Sequence, residues 1–368
     1  MNSKPITPLL AGAVVCNSII GVGILSFPRY MADAGGSGAP LVTTIAVIAA
    51  YLSMLPVLLL IRMFPDENLF QFSRKLIGWP AADFFTLLVV LFFVALTGQT
   101  ARQFGEVALI VLFRQTPIEA VILSLLLLCL FSTRRGIVKF SYIHYFYLPF
   151  IIGLSLIIIL VTLQEVEWQN LLPLTGNGKP GLHTAGQMIL GSLHTTAFFQ
   201  SSFVAVLLVP YMRHPGRILG AGSWGVLLAG LIYVLISANT IGLFGAEETK
   251  LLFYPTLESV RSVSIGVSLL ERFDALFIII WVASVFTTAY STFYLAAYAF
   301  RELGRFRDHR LTGSALLPLI FIAAMLPPNI FEAYTWSHSL MAAGVVLLTL
   351  YPLVLLIAAM LKQRRNPS

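Results

Sequence analysis

Four short sets of residues carry the chemistry by which this chain could hold a small molecule: Gly21, Val22, Gly23 and Ile24; Thr97 to Ala101; Thr195 to Gln200; and Thr287 to Ser291. Each falls near the middle of a separate apolar stretch, and none contains Asp, Glu, Lys or Arg. What they offer is backbone and hydroxyl groups. In the first set a helix cannot run on: Pro28 has no N–H for the carbonyl of Ile24, and Gly21 and Gly23 lower the cost of non-helical dihedrals. Such a break ends one half-helix near Ile20 and starts the next near Gly23. The free N–H groups and positive dipole end of the second half suit a carboxylate, and the carbonyls closing the first half suit an ammonium. A zwitterion or another small neutral molecule fits.

The candidate ligand-binding residues are therefore Gly21, Val22, Gly23, Ile24, Thr97, Ala101, Thr195, Thr196, Phe198, Phe199, Thr287, Thr288 and Ser291. Thr287, Thr288, Ser291 and Thr292 have three possible uses: a ligand, a sodium ion shared with the broken segment, or neighbouring helices. Arg102 with Glu106, and Arg29 with Asp33, are each four apart on a helix and read as ion pairs, either structural or gating. His194, beside the predicted site, reads as a structural histidine or as a proton carrier. Cys16 and Cys129 fall inside apolar spans and read as small core residues, so no metal and no cofactor is expected. No nucleophile, base and orienting group converge outside the membrane, which argues against an enzyme.

The elements that must position these sets are membrane helices. Of 368 residues, 58% are hydrophobic and 11% charged, against about 25% charged in a soluble domain. Ten apolar blocks, over 8–33, 39–62, 82–112, 117–133, 140–163, 185–211, 216–243, 273–300, 311–328 and 335–361, approach or exceed the roughly 20 residues of a spanning helix. The net charge of +7 does not gather into a nucleic-acid-binding patch. With the N-terminus cytoplasmic, sixteen of the 23 Lys and Arg residues lie inside, among them Lys4, Arg62, Arg74, Lys75, Arg134, Arg135, Lys139, Arg213 and Arg217, so both termini are expected in the cytoplasm. The first span is too long, and its N-terminal region too weakly charged, for a cleavable signal.

Irregular backbone at mid-membrane depth survives only where it lines a cavity, and in transporters of inverted repeats the broken helices mark the ligand site. Ten spans divide as five plus five, about 8–163 and 185–361, within one membrane domain covering 1–368. The first span of each half is then the one to break. Span 6 carries Ser192, His194, Thr195, Thr196, Gln200, Ser201 and Ser202 across its midpoint. With each span centred on a core of about 30 Å and rising about 1.5 Å per residue, the four sets meet at half depth in spans 1, 3, 6 and 8.

The ten-span size, Gly21-Val22-Gly23-Ile24-Leu25 followed by Pro28, and Glu271-Arg272-Phe273-Asp274-Ala275-Leu276-Phe277-Ile278 running into Trp281 together resemble the endospore germination permease family, the B subunits of nutrient germinant receptors in spore-forming Bacillus-type bacteria. The resemblance covers essentially the whole chain. It implies the amino acid/polyamine/organocation superfamily, an all-α LeuT-like 5+5 inverted-repeat fold with broken helices 1 and 6, and a ligand between helices 1, 3, 6 and 8. It further implies a nutrient sensor of the inner spore membrane working with A and C subunits among membrane lipids. The rival reading is a proton- or sodium-coupled amino acid transporter. Bulky Phe198 and Phe199 depart from what a sensor of alanine would need, so ligand size does not carry over.

Overall fold

Apolar runs punctuated by Pro and Gly fold into thirteen α-helices among the residues that the computed structural model describes, 5–113, 115–174, 185–262 and 273–365. They are α1 (Pro8–Ile19), α2 (Phe27–Gly35), α3 (Ala39–Met63), α4 (Leu69–Ile77), α5 (Trp79–Val111), α6 (Ile118–Thr133), α7 (Ile137–Thr162), α8 (Ala185–Thr195), α9 (Ile218–Leu251), α10 (Pro255–Ser262), α11 (Phe273–Gly304), α12 (His309–Met325) and α13 (Ile330–Arg365). Lys4 of the predicted cytoplasmic charges, and Glu271 and Arg272 of the second family motif, lie outside the described residues. Seven helical stretches are long and apolar enough to cross a membrane, and the apolar helices Pro8–Ile19, Ile118–Thr133 and Leu311–Met325 are shorter.

The first predicted span is broken, and its first half ends at Ile20 as expected. Helix α1 closes at Ile20, whose ψ of 100° is extended, and Gly21 follows at φ −145°, ψ −140°. A single 3-10 turn, Val22–Leu25, then leads into α2 at Phe27. Pro28 sits in the first turn of α2, where its missing N–H has no intrahelical acceptor to serve. It therefore starts a helix rather than ending one, and the second half begins at Phe27 instead of near Gly23. In the sixth span, α8 ends at Thr195 and the chain continues as a 3-10 helix over Thr196–Leu207.

Helix α9 packs between α1 and α3, and α5 runs along α11 and α12. Close approach of α1 and α9 depends on Gly225, where a Cβ would stand 2.7 Å from the carbonyl oxygen of Gly12 and 2.8 Å from the Cβ of Val15. The N-terminal segment pairs with the end of the sixth span, Ile6 accepting from Arg213 N at 2.9 Å and donating to Tyr211 O at 3.2 Å. Helix α4, which hydropathy alone did not reveal, is opened by a capping box between Asn68 and Gln71. It lies against the end of α11: Asn68 and Gln71 donate to Glu302 at 3.3 and 3.4 Å, and Arg74 donates to its carbonyl at 2.7 Å. Lys362 Nζ reaches the carbonyl of Lys75, so these ends and both terminal segments share one face, hereafter the terminal face.

Because the atom facing Gly225 is backbone and cannot swing aside, Gly225→Leu should destabilise the protein by about 1–3 kcal/mol or more. Gly153→Leu, where a Cβ meets nothing within 4 Å, should leave it unchanged. Thermal unfolding of both variants in detergent checks the contrast, and equal unfolding temperatures would remove the α1–α9 contact from the packing account.

Candidate functional site

The break at Ile20–Leu25 leaves carbonyls with no partner in their own helix, and hydroxyls from α11 and α9 supply them. Ser284 donates to Ile20 O at 2.7 Å, and Thr288 donates to Ser18 O at 3.0 Å with Ile20 O at 3.3 Å. Thr287 Oγ1 lies 3.2 Å from Asn17 O, and the Tyr233 hydroxyl donates to Ile19 O at 3.2 Å. Thr256 of α10 donates to Ile24 O at 2.8 Å. Gly21 permits this approach: a Cβ there would lie 2.2 Å from Thr288 Oγ1.

This arrangement corrects two expectations. The carbonyls that end the first half-helix, read as a place for an ammonium, are already taken by protein hydroxyls. Thr287, Thr288 and Ser291 spend their protons on carbonyls and on one histidine rather than facing an open ligand space. Thr97 sits beside the same helix, its Oγ1 2.6 Å from Phe93 O and 2.9 Å from Thr292 Oγ1. Ala101 is fully buried one turn further along α5.

The histidine is His144 of α7, which sequence reasoning missed. It is completely buried, with Nδ1 2.9 Å from Phe140 O and Nε2 2.9 Å from Ser291 Oγ and 3.2 Å from Thr287 O. Its own carbonyl accepts from Asn17 Nδ2 at 2.7 Å, so one residue joins the helix-1 break, α7 and α11. Carbonyls only accept, and Phe140 O is the nearer of the two facing the ring, so the tautomer with its proton on Nδ1, accepting from Ser291 at Nε2, is the one these distances favour. A protonated ring would donate from both nitrogens, and Ser291 would turn its proton to Thr287 O, 2.9 Å away. The only advance signal was a histidine near the start of the apolar block 140–163.

The side chains of the sixth span divide between two cavities. With three residues per turn, positions i and i+3 share a face. Thr195 and Phe198 line one cavity of about 260 Å³, together with Tyr30, Asp33, His194 and His338. Thr196, Phe199 and Ser202 line a second of about 40 Å³ against α3 and α13. Thr196 and Phe199 therefore turn away from the first cavity, contrary to a single shared site. Thr195 and Thr196 bond back to Gly191 O and Leu193 O, both at 2.6 Å.

Phe198 covers the break. A Cβ on Gly23 would meet its ring at 2.6 Å, and its ring centroid lies 5.1 Å from Phe27 and 5.4 Å from Tyr30. The same ring lines the larger cavity, together with residues of α2, α8 and α13. Among the described residues the expected Arg29–Asp33 ion pair is not formed; Arg29 instead lies over Phe253 and Tyr334, 5.0 and 5.3 Å from their centroids. The Arg102–Glu106 pair is formed, at 2.8 Å and buried. Trp281 of the family motif is buried and stacks on Phe104 at 5.8 Å.

Because Thr288 donates to Ser18 O at 3.0 Å, while Ile20 O keeps Ser284 as its donor, Thr288→Val should strand the Ser18 carbonyl and cost about 1–3 kcal/mol. Thr44→Val, which removes an exposed bond to Pro40 O, should cost less than about 0.5 kcal/mol. Thermal unfolding again discriminates, and indifference to Thr288→Val would mean that the break is held by packing alone.

With this geometry in place, comparisons with known proteins can be weighed. Among solved structures, the chain superposes on a nucleobase-cation-symport-1 family transporter, Mhp1, in a closed conformation with bromovinylhydantoin bound, at TM-score 0.69 and 15% identity over 93% of this chain and 76% of that one. It superposes on MhsT in complex with L-phenylalanine at TM-score 0.68 and 15% identity, over 92% and 87%. These likenesses establish an all-α membrane protein of the LeuT fold. Among curated proteins it is 24% identical to spore germination protein YndE of Bacillus subtilis (strain 168) over 98% of both chains. It is 26% identical to spore germination protein GerLB of Bacillus cereus, over 96% of this chain and 94% of that one. The spore germination protein family (Spore_permease) matches residues 6–333, and the chain, with its broken first span seated on helix α11, belongs to it.

Proposed function

We propose that this chain is the nutrient-sensing subunit of a spore germinant receptor, binding a small neutral or zwitterionic nutrient such as an amino acid between the broken first span and Phe198. The observation that carries the reading is the Phe198 ring seated on Gly23 at the closed end of the 260 Å³ cavity. Rotation of that ring would join the cavity to the backbone of Gly21–Leu25. Asp33, at the cavity wall, would attract an ammonium, and the backbone N–H groups of the break would meet a carboxylate. In this reading ten spans, with α1–α2 and α8 with its 3-10 continuation each counted once, cross the inner spore membrane with both termini cytoplasmic. The spans form two repeats, about 8–163 and 185–361. Binding favours one arrangement of the broken spans over another, and A and C subunits read the shift.

One observation favours a second reading, a proton- or sodium-coupled amino acid transporter. His144 is a buried titratable group bridging the break, α7 and α11, and among the similar folds are a nucleobase-cation symporter and a Na+-coupled sialic acid symporter.

Ligand-dependent stabilisation of the purified protein across amino acids, sugars and nucleosides should find at least one nutrient that raises the unfolding temperature, because a ligand of the native state stabilises it by mass action. Gly23→Leu should abolish that rise, and Phe198→Ala should widen the range of accepted ligands. A nutrient shift unaltered in both variants would move the site elsewhere. In liposomes the receptor reading expects binding with little accumulation under a proton or sodium gradient. Robust gradient-driven uptake, lost in His144→Phe, would instead establish the transporter.

A further inference from the structure

On the side of α7 and α11 away from the candidate site runs a groove of about 830 Å³. Its walls are apolar and aromatic, with Tyr142 and Phe146 from α7 and Ile279 and Phe286 from α11. Three of these are widely open to the surroundings, Tyr142 at 52%, Phe146 at 61% and Ile279 at 67%. Arg135 and Lys139, at and just after the turn between α6 and α7, line one end. Both are exposed, and among the described residues neither is ion-paired, whereas Arg74, Lys75 and Arg301 each have a carboxylate partner.

Register gives the groove its length. The rings of Tyr147 and Phe286 lie 6.3 Å apart, which sets α7 and α11 level there. Lys139 is eight residues from Tyr147 towards the terminal face and Ile279 seven residues from Phe286 the other way, so the groove extends over about 22 Å. That exceeds half of a core about 30 Å thick, the depth that one acyl chain occupies. Two like charges left together at one end favour a counter-anion, and basic pockets at helix ends within a membrane protein recognise anionic headgroups.

We propose that this groove is a binding site for one anionic phospholipid, its phosphodiester between Arg135 and Lys139 and an acyl chain laid along Phe146, Phe286 and Ile279. The groove backs onto the break: Tyr147 is three residues from His144, and Phe286 directly precedes Thr287. A lipid seated there buttresses the two helices whose inner sides hold the broken first span. The inference is independent of which nutrient the chain senses.

Native mass spectrometry of the purified full-length protein with phosphatidylglycerol and phosphatidylcholine of the same acyl composition tests it. The expected result is at least a tenfold preference for phosphatidylglycerol, lost in Arg135→Gln/Lys139→Gln and retained in Arg213→Gln/Arg217→Gln, which removes two cations elsewhere. Equal retention of both lipids by the unaltered protein, or a preference that survives the first double substitution, overturns the proposal. A photoreactive phenylalanine analogue at position 142, illuminated in intact membranes, should yield a lipid adduct. A protein adduct would overturn the proposal and make this face a subunit interface.

Discussion

A backbone carbonyl freed inside a membrane must find a donor in the protein, because hydrocarbon supplies none. In this chain that constraint fixes the relation between the first span and α11. Once Gly21 interrupts the helix, the carbonyls of Ser18, Ile19 and Ile20 need partners, and the hydroxyls of Thr288, Tyr233 and Ser284 provide them. The consequence reaches beyond the break. With those hydroxyls turned inward, Ser291 and His144 complete the contact from behind, and the opposite surface of α7 and α11 is left for the bilayer. A helix broken without these donors would carry a penalty of roughly 1–3 kcal/mol for each stranded group.

The two ends of the molecule are held differently. At the terminal face the polar contacts are dense: Asn68, Gln71 and Arg301 converge on Glu302, Arg74 pairs with Asp83, and Ile6 is bonded to the end of the sixth span. Away from it, the broken halves meet through rings: Phe27, Tyr30, Phe198, Tyr334 and His338. Aromatic contacts are less directional than ion pairs and buried hydrogen bonds, so a ring such as Phe198 can turn while the terminal face stays closed.

Much of this was legible in the sequence, for identifiable reasons. The glycines at 21 and 23 announced the break because a mid-membrane interruption has few other physical causes, and span limits followed from apolar length: 39–62 became Ala39–Met63 and 117–133 became Ile118–Thr133. What hydropathy cannot carry is the direction in which a buried side chain points. The hydroxyls of Thr287 and Thr288 had three possible uses, a ligand, a sodium ion or neighbouring helices, and they lie against neighbouring backbone, a choice that only the register of α11 against α1 decides. Thr196 and Phe199 were assigned to the same site as Thr195 and Phe198, yet any helix turns adjacent residues by about 100° or more, so the two pairs line different cavities. His144 escaped notice because its role depends on Asn17, Thr287 and Ser291, residues more than a hundred positions away. Helix α4 was hidden by its polarity, since a short amphipathic helix lying on a polar face has no apolar run to show.

The same break could in principle be closed by a cation, whose charge would satisfy several carbonyls at once. Here neutral hydroxyls close it, and the difference has a physical consequence. A cation that leaves must leave with its charge, and its departure couples the state of the break to an ion gradient. A hydroxyl tethered to α11 cannot leave; it can only rotate or move with its helix. The contact between the first span and α11 is therefore set by the position of α11, by the protonation of the ring behind it, and by whatever presses on the far side of that helix.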